Sequence, residues 1–186
     1  MDYYFNAAME MITGRAVMTW LVCAFLAAFF AYGLHKNGKM KSSTAILIPV
    51  LVFYLAFVLT ITIIERTPTE RAQYQLELFW TIRDIYRGEY SLLREIFWNM
   101  VLFLPIGAGI SLILNRYNLI SWGLALAFSA SIELAQLITH RGLFEWDDII
   151  YNGLGALLGI GIIHLLRRIW RIYQFRAERD RRWKME

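Results

Sequence analysis

The sequence predicts an all-α integral membrane protein: a bundle of five transmembrane helices, N-terminus outside and C-terminus in the cytoplasm, with an amphipathic helix in its long outer loop. Three observations carry this. The composition is 58% hydrophobic and 18% charged, with a mean hydropathy of +0.44, whereas soluble domains are roughly half apolar and about one quarter charged. Five runs approach the roughly 20 apolar residues that a bilayer core of about 30 Å requires. Lys and Arg are spread unevenly over the connections between those runs. At 186 residues the chain amounts to about one domain, read as a single membrane domain over 1–186. Such apolarity excludes disorder, and a lone cysteine, Cys23, excludes an internal disulfide framework or a cysteine-cluster zinc site.

Residues 16–34 carry no charge. The leader before them has one base, Arg15, against Asp2 and Glu10, so the run reads as a retained helix and not as a cleaved signal peptide, which wants a basic leader. Residues 44–64 are a second uncharged run. The third, 96–114, holds Asn99 and Pro105, and Pro105 should kink it and free the carbonyl of Val101. The fourth, 119–138, contains one carboxylate, Glu133. The fifth, 149–166, contains Asn152 and His164.

Orientation follows from the bases, because Lys and Arg stay on the cytoplasmic side. With the N-terminus outside, the inner segments 35–43, 115–118 and 167–186 hold twelve Lys and Arg, against seven in the outer segments. The outer connection 65–95 places Tyr74, Leu78, Ile82, Ile85, Tyr86 and Leu93 at roughly helical spacing. That suggests an amphipathic surface helix with Phe79 and Trp80 at headgroup depth; a loop packed on the outer end of the bundle is the alternative. The cytoplasmic tail 167–186 holds eight bases and three acids with interleaved aromatics, a composition that anionic lipid explains without nucleic acid.

Polar residues then gather at one depth. Asn99 and Asn152 each lie three residues inside their helices from the outer end, roughly 5 Å deep, and Glu133 lies roughly 8 Å deep. Arg141, Asp147 and Asp148 occupy the short outer loop above them. Ser129, Glu133, Gln136 and His140 follow one helical stripe, and Asp148, Asn152, Gly155 and Gly159 follow another. Gly155 and Gly159 form a G-x-x-x-G notch for a neighbouring helix. Buried Asn, Gln and Ser also serve as plain interhelical glue. Glu133 is the sharper signal, since a carboxylate in hydrocarbon costs a few kcal/mol and usually marks a function. It needs a partner, and Arg141, Asn99 and Asn152 are its candidates. The predicted polar pocket is therefore Asn99, Ser129, Glu133, Gln136, Arg141, Asp147, Asp148 and Asn152.

The run Asn99-Met-Val-Leu-Phe103-Leu-Pro105-Ile-Gly107, then Ser129-Ala-Ser-Ile-Glu133-Leu-Ala-Gln136, then Arg141 followed by Asp147-Asp148-Ile-Ile-Tyr-Asn152-Gly-Leu-Gly155 resembles the VanZ-like family. The match covers residues 99–159, with a weaker echo in Arg66 and the Gln75–Phe79 run, and implies a family core at about 65–166. The resemblance implies a small bacterial membrane protein of the cell envelope; the family's founding member is associated with low-level teicoplanin resistance.

Two function classes compete. A non-enzymatic envelope factor in the bacterial cytoplasmic membrane would bind membrane lipids and a lipid-linked cell-wall precursor or lipoglycopeptide at the outer leaflet, alone or as a homo-oligomer. A membrane enzyme acting on a lipid-linked substrate would use the carboxylates as base, or with Asp147, Asp148 and Glu133 holding a divalent metal such as Mg²⁺. The sequence contains no nucleophile–base pair and no phosphate-binding loop, which favours the factor. It identifies no cofactor.

Overall fold

The computed structural model describes residues 14–114 and 119–183, with side chains as far as 177. The expected leader before residue 14, Arg116 in the inner loop, and the side chains at the end of the tail lie outside the described residues. Helix α1 spans Gly14–Lys36. Helix α2 spans Ser42–Leu59 and widens into a single π turn, Thr60–Ile64. A three-residue strand β1, Gln73–Gln75, and a short helix α3, Trp80–Tyr86, follow. Helices α4, Leu92–Leu114, and α5, Leu119–Thr139, lead to strand β2, Leu143–Glu145, and a long helix α6, Trp146–Trp183. Five of these helices are long and apolar enough to cross a membrane, so the chain is a multi-pass helical membrane protein.

Small residues set the packing. Helices α4 and α6 make the most extensive contact. A Cβ on Gly155 would overlap the backbone of Met100, one on Gly159 the backbone of Leu104, and one on Gly107 the backbone of Ala156. The helices therefore approach backbone to backbone, closer than a leucine interface permits, as the G-x-x-x-G notch predicts. Val58, Phe103, Ile106, Ala125, Ile132 and Ala156 form the buried core between α2, α4, α5 and α6. Helix α1 packs chiefly on α2, where Trp20 sits edge-on to Phe53 and Phe57 and donates from Nε1 to Thr60 Oγ1 at 2.8 Å.

Pro105 lies inside an uninterrupted α4. The Tyr54 hydroxyl donates to the Leu102 carbonyl at 2.9 Å, which brings a donor from α2 to the stretch where proline removes one. Helix α6 outlasts the predicted span. No glycine or proline follows Gly161, and the basic tail is rich in good helix formers, so span and tail form one rod of 38 residues, about 57 Å long.

The outer connection departs from the expected amphipathic helix. Between residues 65 and 91 only Trp80–Tyr86 is helical. Tyr74 lies on β1, which pairs in parallel with β2 in the register Gln73↔Leu143, Tyr74↔Phe144 and Gln75↔Glu145. Two backbone positions bound the helix: Phe79 is left-handed at φ 60° and Gly88 has φ 106°. Tyr74, Leu78, Phe79, Ile82 and Tyr86 are all exposed.

Candidate polar site at one end of the bundle

The reversal between α5 and α6 positions the site. His140 takes a left-handed conformation, φ 56°, and the Arg141 N–H returns to the Gln136 carbonyl at 3.0 Å, the six-residue closure by which helices commonly end. Gly142 follows at φ 147°, and a side chain there would meet Arg66 Nη1 and Gln136. Strand β2 then drops the chain back over α5, and Asp147 and Asp148 open α6, where carboxylates favour the positive end of the helix dipole.

The predicted residues resolve into connected pairs. Asn99 Nδ2 donates to Asp148 Oδ1 at 2.6 Å, joining α4 to α6. Asn152 Nδ2 donates to Ser129 Oγ at 2.9 Å, joining α6 to α5. Glu133, only 2% exposed, accepts from the backbone N–H of Glu145 through Oε2 at 2.9 Å. Gln136 Nε2 donates to the Thr62 carbonyl at 3.0 Å, joining α5 to the π turn that ends α2. Gln136 Oε1 and Asn152 Oδ1 are buried and have no donor among the described residues.

Two placements correct the sequence reading. Arg141 does not turn back to Glu133. Its Nη1 donates to the carbonyls of Ile64 and Arg66, because the widened turn after α2 presents unpaired carbonyls beside it. Glu133 bonds instead to the β2 backbone, not to Arg141, Asn99 or Asn152. Asp147, fully buried, faces the outer connection. Its Oδ1 accepts from Phe79 N at 2.6 Å, and its Oδ2 from Thr81 N at 3.1 Å and Thr81 Oγ1 at 2.5 Å. It thus caps α3 across 66 residues of sequence, and its oxygens are already engaged. Among the described residues no three His, Cys, Asp or Glu side chains are grouped as a metal site.

The structure adds residues that the sequence left aside. Arg66, noted only as an echo of the family pattern, is the cation whose charge acts on both Glu133 and Asp148. With Glu65, Thr67, Thr69 and Gly142 it lines a cleft of about 300 Å³. Glu145 lies between two predicted spans, where no periodicity marks it, and the structure places it on β2. Burial pushes its carboxyl up to about 7, helped by the charges of Asp148, Glu95 and Asp147. The spacing Glu133-x₁₁-Glu145 has no helical period, so only the β1–β2 pairing could have revealed it.

A family model described as VanZ/LLP1 matches residues 16–167. That is most of the chain, and the protein belongs to this family. No curated protein and no solved structure matches it.

Proposed function

We propose that this VanZ/LLP1 family member is a non-enzymatic cell-envelope factor of the bacterial cytoplasmic membrane. It binds a lipid-linked or lipoglycopeptide ligand at the outer leaflet, and by doing so lowers susceptibility to glycopeptides such as teicoplanin. The observation that carries this reading is the meeting of Asn99, Ser129, Glu133, Asp148 and Asn152 from three helices at one end of the bundle. Two buried amide oxygens there, of Gln136 and Asn152, have no donor among the described residues, and a polar cleft opens beside Gln136. An excess of acceptors suits hydroxyl- or ammonium-bearing ligand groups, while the surrounding helices offer apolar surface to acyl chains.

One observation favours the enzyme as second reading: a carboxyl poised near neutral pH, Glu145, suits general acid–base work. The discriminating experiment is native mass spectrometry of gently extracted protein beside its Glu133→Gln variant. The variant amide still accepts from the Glu145 N–H, so folding survives while the ionisable carboxyl is lost. Co-purification of a lipid-linked molecule with the wild type and its loss from Glu133→Gln support the factor. EDTA then leaves Tm unchanged, because no folded-state ligand is withdrawn. A lipid recovered in chemically altered form, or a chelator-sensitive Tm, transfers the weight to the enzyme.

A further inference from the structure

A groove lies at the end of the bundle opposite the carboxylate cluster, between α4 and the continuing α6. Helix α4 runs to Leu114, and Arg167 Nη2 donates to the carbonyl of Ser111, three residues before it, at 3.1 Å. This bond fixes the Arg167 side chain at the rim of the groove, of about 920 Å³. Its lower walls are mostly apolar, with Leu112 from α4 and Ile163 and Leu166 beside His164 from α6, and Arg171 stands one turn beyond Arg167 on the same side. Trp170 and Tyr173, stacked at 6.0 Å between ring centres, complete the rim. The division along α6 is sharp: the apolar run ends at Leu166 and the arginines begin at 167.

We infer that this groove is a specific site for an anionic phospholipid, with an acyl chain against Leu112, Ile163 and Leu166 and the phosphate between Arg167 and Arg171. Charge complementarity selects the occupant. A guanidinium has five N–H donors, so its bond to Ser111 leaves Arg167 further donors for a phosphate, in the paired geometry that arginine favours. Two rim cations one turn apart match one phosphate. Aromatic rings beside them sit where amphipathic rings gather at the membrane–water interface. The apolar wall beneath rejects a free phosphate and accepts a chain. The site is independent of the carboxylate cluster: residue 167 is 19 positions beyond Asp148, roughly 28 Å along the helix.

The test uses the full chain in neutral detergent, titrated separately with phosphatidylglycerol, phosphatidylcholine and glycerol phosphate, with bound lipid read by native mass spectrometry and Tm by thermal scan. Saturating phosphatidylglycerol is expected to raise Tm by about 5 °C, and the other two are expected to leave it unchanged. Arg171→Gln should weaken phosphatidylglycerol binding about fivefold, the effect of removing one cation near a lipid surface. Among the described residues Arg171 makes no bond to α4, so this variant tests the site without disturbing the helix end. Arg176→Gln, outside the groove, should bind as the wild type does. Equal stabilisation by phosphatidylcholine would overturn the inference, and so would equal losses in Arg171→Gln and Arg176→Gln, which would mean diffuse surface charge. A response to glycerol phosphate matching that to the lipid would remove the acyl chain from the account.

Discussion

Asp147 shows how much one side chain can organise. Its two oxygens receive three donors, and they hold Phe79 in a left-handed conformation that costs an ordinary residue roughly 1–2 kcal/mol. Asp147→Ala leaves buried donors without an acceptor and is expected to lower stability by about 2–4 kcal/mol. Limited proteolysis should then cut the 65–91 connection sooner, whereas Asp147→Asn, which keeps one acceptor oxygen, should fall between. Glu145 behaves in the opposite sense. Its folded-state affinity for a proton is raised from an ordinary 4.5 to about 7, so the protonated form favours the fold. The stability it contributes is complete below about 4.5 and is lost as pH rises through about 7. Glu145→Gln is therefore expected to flatten the fall of Tm between pH 5 and 8 and to exceed the wild type at the alkaline end; a parallel pair of curves would deny the carboxyl this role.

At the scale of elements, the glycine contact between α4 and α6 leads to a comparison. Gly155→Leu forces a side chain into the backbone of Met100, while Leu157→Ala trims a side chain that is 41% exposed. The first should lower Tm and yield far more than the second, because small residues let membrane helices pack closely; equal effects would place the glycines on a lipid-facing side. The five helices were legible from run length, and this contact from glycine spacing. The cap was not. Strands of three residues, one of them Gln-Tyr-Gln, carry no periodicity, and the apolar positions between Tyr74 and Leu93 imitate a helix that Asp147 and Gly88 break up. The site was legible as a set of polar residues at one depth. Its pairing was not, because the carbonyls that draw Arg141 and Gln136 away come from the π turn after α2, and no residue pattern announces where a helix will widen.

For the whole molecule the open variable is orientation. On the uneven distribution of bases we expect the carboxylate end outside. On a Cys23→Ala background, Ser91→Cys is expected to react with a membrane-impermeant maleimide added to intact cells, and Lys184→Cys only after lysis. The reverse pattern would place the acidic end in the cytoplasm and withdraw any extracellular ligand from it. The length of α6 agrees with either outcome, since a rod of about 57 Å exceeds a bilayer core of about 30 Å and must emerge on one side.

The partnership of α4 with α6 also sets a timetable for biosynthesis. These helices are not neighbours in the chain; α5 lies between them, and Gly159 is made 45 residues after Leu114. At about 5–20 residues per second, α4 waits roughly 2–9 s for the surface it fits. During that interval Gly107, Pro105 and Asn99 face whatever the insertion machinery offers. A nascent chain stalled before residue 146 should therefore leave α4 crosslinkable to that machinery, and release of the stall should clear the crosslink as α6 arrives.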